Sequence, residues 1–217
     1  IFCNMEHAEL NEREARGKMN QKERSRLSRE KIIAASLQEF GTNEFRGTTI
    51  NAICGHGIAK GLLYHNFSGK EELFLLCAER CFSNLTAYLR AEKGEESLSR
   101  ALRLREQFFR ENPLYARVFF EAILQPPPGL RQDIKEIRKE FDQFNRALYA
   151  RIISGLELRE GVTAETALAY CELIQDMFNC YFNSPAYAGW DMRDLMEAHE
   201  SRLETMLDFM LYGIAKE

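Results

Sequence analysis

Hydrophobic residues recur along most of the chain at the three- and four-residue spacing of a helix with one buried face. In residues 25–40, Ile33, Leu37 and Phe40 form such a stripe. A longer stripe runs through residues 130–159 and predicts one long helix. Runs that alternate between apolar and polar residues, as half-buried strands do, are missing from the sequence. The pattern therefore predicts an all-α protein with about nine helices.

Turn and capping residues divide this pattern into segments. Gly41 is expected to end the first helix, and Thr48 is expected to cap the second. Ser68 and Glu71 have the spacing of a capping box, which predicts the start of a fourth helix. The prolines at 126–128 force a non-helical bend before the long helix.

Residues 48–73 have the pattern of two short helices joined by a turn that contains glycine. Ile50 and Ile53 give the first helix a buried face, and Leu63 and Phe67 give one to the second. In a helix-turn-helix, one helix lies across the DNA backbone and the second enters the major groove. The segment is therefore predicted to read duplex DNA. The predicted DNA-facing residues are Arg26, Thr49, Lys60, Gly61, Leu62, Tyr64, His65 and Lys70.

Each of these side chains has a chemistry that suits DNA. Lys60 can reach a phosphate or a guanine, and Tyr64 and His65 can donate to phosphate oxygens. Lys70 stands near the start of a helix, where the backbone amides already favour an anion. Arg26 is placed to follow the flanking backbone.

The distribution of charge agrees with this interpretation. The whole chain has a net charge of −4, yet residues 19–70 hold eight basic and four acidic side chains. The acidic excess lies in residues 71–217. A basic N-terminal module on an acidic body suits contact with phosphate, although ordinary surface variation gives an excess of this size as well.

The composition places the chain among globular proteins. Hydrophobic residues make up 45% and charged residues 29% of the 217 positions, which is enough to bury a sizeable core. The longest apolar runs are only a few residues, so no membrane span is predicted. The first residues lack the basic and apolar regions of a signal peptide, and a cytoplasmic protein is expected.

The candidate catalytic and metal-binding patterns are weak. The six cysteines are expected to be reduced thiols. Cys77 and Cys81 share a helix face, but both fit an apolar stripe, which favours buried thiols over a metal site. Ser28 and Lys31 match the S-x-x-K string of acyl-enzymes without its companion motifs. We therefore expect no enzyme activity, no cofactor and no bound metal.

Residues 28–75 resemble the DNA-binding domain of TetR-family transcriptional regulators. The family signature valine-serine-lysine-glycine-x-leucine-tyrosine-x-x-phenylalanine is similar to Ile58-Ala59-Lys60-Gly61-Leu62-Leu63-Tyr64-His65-Asn66-Phe67. The family's lysine-glutamate-glutamate-leucine is present as Lys70-Glu71-Glu72-Leu73. Further matching residues in the first two helices are Ile32, Ile33, Ala34, Ala35, Phe40, Gly47, Thr48, Thr49, Ile50 and Ile53.

The chain departs from the family pattern at three points. Four residues separate Ile53 from Ile58, where the family usually has five. Ala59 replaces the serine that usually caps the third helix, which removes a capping hydrogen bond. Leu62 occupies a position that is often polar, where an apolar contact to a thymine methyl group is expected.

The resemblance implies three regions: a polar extension at residues 1–24, the helix-turn-helix domain at 25–72, and a helical ligand-binding and dimerisation domain at 73–217. It also implies a pocket inside the last region for a small, largely apolar effector. The residues expected to line this pocket are Phe108, Tyr115, Phe119, Phe144, Met177 and Tyr181. The polar residues considered beside them are Arg105, Gln143, Asn145 and Gln175.

The last helix has two apolar stripes, one through Leu203, Met206 and Met210 and one through Leu207 and Leu211. Two stripes indicate burial on two sides, against the protein's own core and against a partner. The resemblance implies a homodimer built from the last two helices, at about 163–182 and 191–215, that binds a palindromic operator. The expected function is a repressor released from DNA by its effector. The alternative is a helical small-molecule carrier or enzyme whose DNA-binding domain no longer reads DNA.

Overall fold

The computed structural model describes residues 21–91 and 97–214. Within these ranges the chain forms ten α-helices and no strand, which confirms the predicted all-α class. The helices are α1 (Gln21–Gly47), α2 (Ile50–Cys54), α3 (Lys60–Asn66), α4 (Lys70–Ala91), α5 (Leu98–Glu111), α6 (Pro113–Leu124), α7 (Arg131–Ile137), α8 (Lys139–Ser154), α9 (Ala164–Tyr181) and α10 (Met192–Ile214). A short 3-10 turn, Pro185–Tyr187, lies between α9 and α10. Most of the predicted extension, residues 1–20, lies outside the described residues.

The sequence predicted that α1 would end at Gly41, but the helix continues to Gly47. A Cβ at Gly41 would lie 2.8 Å from the Cα of Leu114, so glycine here allows α1 to approach α6 closely. The helical backbone is interrupted instead at Glu44, with φ 58° and ψ 175°. A positive φ at a residue other than glycine is strained, and the surrounding contacts must hold it.

The helix predicted at residues 130–159 is two helices. Arg138, with φ −89° and ψ −1°, separates α7 from α8, and its side chain pairs with Asp142 at 2.9 Å. Helix α8 then ends at Ser154, ahead of a turn at Gly155. The apolar stripe continues through both elements, so periodicity alone does not show where the axis changes direction.

Two of the predicted caps are displaced by one residue. Thr49 caps α2 in place of Thr48, because its hydroxyl accepts the N–H of Ala52 at 3.1 Å. Glu72, rather than Glu71, reaches back to the N–H of Ser68 at 2.7 Å. Both shifts follow from the register in which each helix begins, which sequence sets only to within a residue or two.

A single large core joins the helix-turn-helix to the body. Phe40 and Phe45 of α1 pack against Phe74 of α4, with ring centroids 5.3 Å from Phe74 in both cases. Cys77 and Cys81 are buried in the same core, and burial raises the pKa of the Cys77 thiol to about 12. A second core lies between α8, α9 and α10.

The described helices include none that is long and apolar enough to cross a membrane. In the same parts of the chain, no three His, Cys, Asp or Glu side chains converge on a point that could hold a metal ion.

Candidate nucleic-acid interface and effector cavities

The turn between α2 and α3 is closed by backbone hydrogen bonds despite its short length. The N–H of Ile58 donates to the carbonyl of Cys54 at 3.1 Å. Gly57 has φ +78°, a conformation that a residue with a side chain adopts only with strain. Ile53 and Leu63 on either side are fully buried. The four-residue turn therefore still locks the two helices together.

His56 ties this turn to α1. Its Nε2 lies 2.7 Å from Oε1 of Glu39. The partner is distant in sequence, so only the folded structure reveals it. The pair fixes the position of the turn relative to α1, the helix that supports both α2 and α3.

The outward face of α3 carries the predicted DNA-reading residues. The exposed residues there are Lys60, Gly61, Leu62, Tyr64 and His65, and Thr49 and Arg26 are exposed on α2's cap and on α1. The exposed fractions of Leu62 and Tyr64 are 39% and 52%, which is high for an apolar and an aromatic side chain. Their contact with DNA stays a prediction, but seven of the eight predicted residues are free of the core.

Lys60 also contacts a residue that the sequence did not single out. Its ammonium group donates to Oδ1 of Asn51 at 3.3 Å. Asn51 is exposed on α2, so this hydrogen bond crosses between the two helices of the motif. An asparagine at this place can also donate to a phosphate or a base edge.

Lys70 is the exception among the eight residues. Its ammonium group donates to the carbonyls of Phe45 at 2.8 Å and Thr48 at 3.2 Å, and lies 4.0 Å from the centroid of the Phe45 ring. These carbonyls follow the interruption in α1 at Glu44. Lys70 is therefore half-buried and compensates carbonyls of the broken helix, whereas the sequence predicted an exposed phosphate anchor.

Arg29 has a similar structural role at the other end of the motif. Its guanidinium donates to the carbonyl of Asn66 at 2.8 Å and lies 4.4 Å from the centroid of the Phe67 ring. These contacts hold the C-terminal end of α3 against α1. Arg26, one turn earlier on α1, is exposed.

Helix α6 reaches the interruption in α1 through two side chains. The Arg117 guanidinium pairs with the Glu44 carboxylate at 3.2 Å. Glu121, which is 5% exposed, accepts the N–H of Phe45. Burial, helped by the neighbouring Glu44, raises the pKa of Glu121 to about 7 despite the lowering effects of the Phe45 N–H, Arg117 and Lys70. The DNA-binding helices thus meet the body at a charged, buried joint.

Three adjoining cavities lie between the helices of the body. The outer cavity, of about 330 Å³, is bounded by α4, α5 and α8 and includes Phe144 in its wall. The neck, of about 30 Å³, lies deeper and is also lined by Phe144. The inner cavity, of about 220 Å³, is lined by Phe119 and by the predicted polar residues Arg105, Asn145 and Gln175. Gln143 lines the outer cavity.

The other four predicted pocket residues lie elsewhere. Phe108 and Tyr115 pack together in an aromatic cluster, with ring centroids 6.4 Å apart. Met177 and Tyr181 are 62% and 51% exposed, so in this protomer they do not face an internal pocket. Helix α9 is apolar on two faces, and the sequence does not say which face is inward. The contact of Met177 and Tyr181 with a ligand stays a prediction.

A polar network that the sequence did not indicate borders the inner cavity. Arg105 donates to both carboxylate oxygens of Glu200 at 2.7 Å. The ring nitrogens of His199 lie 2.9 Å from Glu200 Oε1 and 3.0 Å from Asn179 Oδ1. The Nε of Arg105 is buried and has no hydrogen-bond partner. A ligand in the cavity could supply that acceptor.

Burial governs the protonation of this network. It lowers the pKa of His199, although Glu200 opposes the change. Burial alone would raise the pKa of Glu200, but Arg105 and His199 outweigh it and hold the value at about 2. The network therefore contains the Glu200 carboxylate and the Arg105 guanidinium, together with His199, whose charged form is disfavoured by burial.

Helix α9 presents an exposed apolar face to solvent. Tyr170, Leu173, Met177 and Tyr181 are each more than half exposed, and Phe209 of α10 is 80% exposed. Leu203 and Leu207, which the sequence placed on separate stripes of α10, are both buried in the second core. An apolar face on these two helices was expected, but α9 supplies most of it.

Residues 32–77 match the family model for bacterial regulatory proteins of the tetR family. The N-terminal helices therefore form a DNA-binding domain of the tetR type. The matched residues run from α1 into α4 and contain the whole of α2 and α3. Regulators of this family control transcription through a helix-turn-helix that binds DNA, and residues 32–77 match that domain. No curated protein is significantly similar in sequence.

Solved structures share the fold over most of this chain. FadR from Bacillus subtilis in complex with stearoyl-CoA is 20% identical, with a TM-score of 0.60, over 85% of this chain and 98% of its own. FadR from Bacillus halodurans is 16% identical, with a TM-score of 0.61, over 89% and 96%. A TetR-family transcription regulator from Shewanella sp. PV-4 is 20% identical, with a TM-score of 0.55, over 88% and 99%. The likeness extends to the body beyond the matched domain, and at these identities it concerns the fold.

Proposed function

We propose that the protein is a dimeric transcriptional repressor that leaves its operator when a small, largely apolar effector enters the body. The observation that carries the proposal is the exposed face of α3, with Lys60, Tyr64 and His65 presented by a helix pair whose inward residues are fully buried. Such a face has no packing role within the protomer, and its chemistry suits the major groove.

The exposed side chains divide between the phosphate backbone and the bases. Tyr64 and His65 donate to phosphates and set the depth of α3 in the groove. Lys60 reaches a phosphate or a guanine, and Leu62 contacts a thymine methyl group. Lys70 acts from behind by holding the end of α1 and the start of α2 in place.

A second copy of the chain covers the exposed face of α9 and α10. Large apolar side chains rarely form such a contiguous exposed face on a monomer, because their hydration is unfavourable. A two-fold dimer through this face makes two α3 helices available together. It would read a palindromic operator whose half-sites are separated by about 34–36 Å, one turn of DNA.

The effector enters the cavities of the body. The inner cavity combines an apolar wall, at Phe119, Ile123, Phe141 and Leu203, with many polar and charged side chains around Arg105 that could orient a ligand. The likeness in fold to FadR in complex with stearoyl-CoA supports a ligand-binding body.

Helix α6 supplies a physical path from the effector to the DNA. Phe119 lines the inner cavity, while Arg117 and Glu121 of the same helix contact the interruption in α1. A shift of α6 caused by an occupied cavity would move the joint and change the separation of the two α3 helices. Binding of the effector would then weaken binding of the operator, and binding of the operator would weaken binding of the effector by the same coupling free energy.

The proposal can be tested by gel shift with the DNA upstream of the gene and its neighbours. Lys60→Ala and Tyr64→Ala should each weaken binding by about tenfold or more, since each removes a contact to a charged group. Lys139→Ala is the matched control, because Lys139 is exposed on α8, outside the helix-turn-helix. Binding that is insensitive to both α3 variants would overturn the proposed interface.

A complete lack of DNA binding at low salt, together with binding of small molecules, would favour the alternative of a carrier or enzyme. That outcome would point to the uncapped Ala59 and the apolar Leu62 as the features that prevent groove entry.

A further inference from the structure

We propose that a cleft beside the interruption in α1 is a second effector site, which binds a flat aromatic ring that carries an acidic group. The cleft, of about 770 Å³, lies where the end of α1 meets the α6–α7 and α9–α10 connections of the body. It shares no lining residue with the outer cavity, the neck or the inner cavity. Its volume is in the range of small-molecule sites. Binding of the ligand is independent of the proposed function, whereas its effect on DNA rests on that function.

Two arginines from different parts of the fold line the cleft. Arg46 is in the last turn of α1, and Arg131 is the first residue of α7. Both are exposed, and neither has a hydrogen bond or an ion pair with any residue in the ranges 21–91 and 97–214. Guanidinium groups pair with carboxylate and phosphate oxygens through charge-assisted hydrogen bonds. Both side chains are therefore available to an anion in the cleft.

The two acidic residues that line the cleft already have partners. Glu44 pairs with Arg117 at 3.2 Å. Glu121 accepts the N–H of Phe45 with both carboxylate oxygens, at 2.9 and 3.0 Å. Burial raises the pKa of Glu121 to about 7, so its neutral form is more populated than that of an ordinary carboxyl group. The charge that stays without a partner in the cleft is therefore mainly positive.

The α9–α10 connection supplies an aromatic wall. Trp190 is 46% exposed, and its ring packs against that of Tyr187 with centroids 4.9 Å apart. Tyr187 in turn packs against Phe182 at 4.7 Å, and both of these rings are buried. Trp190 is thus supported by a packed cluster while part of its surface is open to the cleft. An aromatic ligand gains from packing against such a ring in an offset or edge-to-face arrangement.

The α6–α7 connection supplies a stiff wall. It contains three consecutive prolines, Pro126 to Pro128, which all line the cleft. The proline ring fixes φ and removes the backbone N–H, so this wall offers apolar surface and no amide donor for an anion. A wall that is already rigid loses little conformational freedom when a ligand binds. The acidic group therefore belongs at the arginines, and the ring belongs beside the prolines and Trp190.

The position of the cleft gives its ligand a hold on the DNA-binding helices. Glu44, Phe45 and Arg46 line it, and they span the interruption in α1. Glu121, the residue of α6 that holds the N–H of Phe45, lines it as well. A ligand that pairs with Arg46 acts on the segment that leads directly into α2. An occupied cleft should therefore change the affinity for the operator without a ligand in the internal cavities.

Isothermal titration calorimetry on the full chain tests the site with 4-phenylbenzoate, a flat aromatic acid. Two analogues separate its features. The alcohol 4-phenylbenzyl alcohol lacks the charge, and 4-cyclohexylcyclohexanecarboxylate lacks the flat rings. Each analogue should bind about three- to tenfold more weakly, because the first loses the charge-assisted hydrogen bonds and the second loses the ring packing. Equal affinities for the three compounds, or no binding of 4-phenylbenzoate, would overturn the site.

Tryptophan emission locates the ligand. Trp190 is the single tryptophan among the 217 residues, so its fluorescence reports on the cleft alone. The emission should change in step with the calorimetric saturation. Saturation by 4-phenylbenzoate with an unchanged emission would place the ligand elsewhere and refute the site.

A second probe identifies the acidic group. The phosphate ester of 4-phenylphenol carries a phosphate on the same two rings. If it binds more tightly than 4-phenylbenzoate, the cleft prefers a phosphate, and the opposite order indicates a carboxylate. Both orders support an aromatic anion, and failure of both compounds to bind counts against it.

Two arginine variants and one control localise the anion. Arg46→Gln and Arg131→Gln should each weaken binding of 4-phenylbenzoate by about three- to tenfold and leave that of the alcohol unchanged. Arg103→Gln is the matched control, because Arg103 is exposed on α5 and lies outside the lining of the cleft. All three side chains are exposed, so the fold should tolerate each change. Equal effects of the three variants would contradict the assignment.

Gel shift with the upstream DNA separates this site from the proposed function. The compound 4-phenylbenzoate should change the operator affinity of the wild type and have a smaller effect on Arg131→Gln. Without the ligand, Arg131→Gln should bind DNA as the wild type does. A loss as large as that of Lys60→Ala would make Arg131 a DNA contact and overturn its role in the cleft.

The remaining outcomes divide cleanly. If no DNA fragment binds, the proposed function fails, while calorimetry and tryptophan emission still decide whether the cleft binds an aromatic anion. If the ligand binds in the cleft and the operator affinity stays the same, the binding site is supported and its regulatory role is overturned.

Discussion

Glu121 of helix α6 accepts the backbone N–H of Phe45 with both carboxylate oxygens, at 2.9 and 3.0 Å. Phe45 directly follows Glu44, where α1 is interrupted. Its carbonyl accepts from Lys70, so one peptide segment is held from the body on one side and from α4 on the other. The contact gives the body a direct hold on the end of the helix that supports the DNA-reading pair.

We expect Glu121→Gln to change how stability depends on pH. The pKa of Glu121 is raised from 4.5 to about 7, so protonation of this carboxyl group stabilises the folded protein. Its contribution is fully present below pH 4.5 and is lost as the pH rises through 7. Between pH 4 and pH 8, the free energy of unfolding of the variant should rise by on the order of 3 kcal/mol relative to that of the wild type.

Urea unfolding across that pH range measures the difference. Glu79→Gln is the control, because Glu79 is exposed on α4 and should follow the wild type. A constant gap between Glu121→Gln and the wild type would contradict the expected titration.

Gly41→Ala should destabilise the protein by about 1–3 kcal/mol. The added Cβ would lie 2.8 Å from the backbone of Leu114, and backbone cannot move aside as a flexible side chain can. Gly61→Ala is the paired substitution, since nothing lies within 4 Å of a Cβ there, and it should stabilise α3 by about 0.5–1 kcal/mol. Thermal unfolding should show a lower melting temperature than the wild type for Gly41→Ala and a higher one for Gly61→Ala.

Arg105→Leu should cost about 1–3 kcal/mol, because it leaves the half-buried Glu200 carboxylate without its guanidinium partner. The double variant Arg105→Leu with Glu200→Gln should recover part of that loss. Denaturant unfolding of the single and double variants gives the coupling between the two residues. Additive losses would show that the pair is not coupled.

The same pair sets a limit on acid stability. The pKa of Glu200 lies at about 2, below its ordinary value of 4.5. Its contribution is therefore present above pH 4.5 and is lost as the pH falls through 2. Unfolding at pH 3 and pH 6 should show a larger effect of Glu200→Gln at pH 6, and an equal effect at both would count against the pairing.

Met177→Glu should dissociate the proposed dimer. The side chain is 62% exposed in the protomer, so the substitution disturbs no internal packing, but it would bury a charge at a contact between two copies. Sedimentation velocity should show a monomer at concentrations where the wild type is a dimer. Leu62→Glu, at an exposed apolar position on α3, should leave the oligomeric state unchanged, and a monomeric wild type would refute the interface.

The sequence by itself determined the helical class, the turn residues and the outward face of α3. These features are local, because a helical period and a cap depend on residues only a few positions apart. The string from Ile58 to Phe67 was also sufficient to predict the resemblance to the family, and its positions Ile58, Leu63 and Phe67 are buried within the motif.

Only the tertiary structure decided what the charged residues do. The sequence predicts Lys70 as a phosphate anchor, whereas its ammonium group donates to two backbone carbonyls. Glu121 lies 76 residues from Phe45. Arg105 and Glu200 are 95 residues apart, and no periodicity predicts that they meet. Helix α9 is apolar on two sides in the sequence, and its packing against α8 and α10 determines which side is buried. Burial and pairing depend on contacts between distant segments, and these arise only when the whole chain has folded.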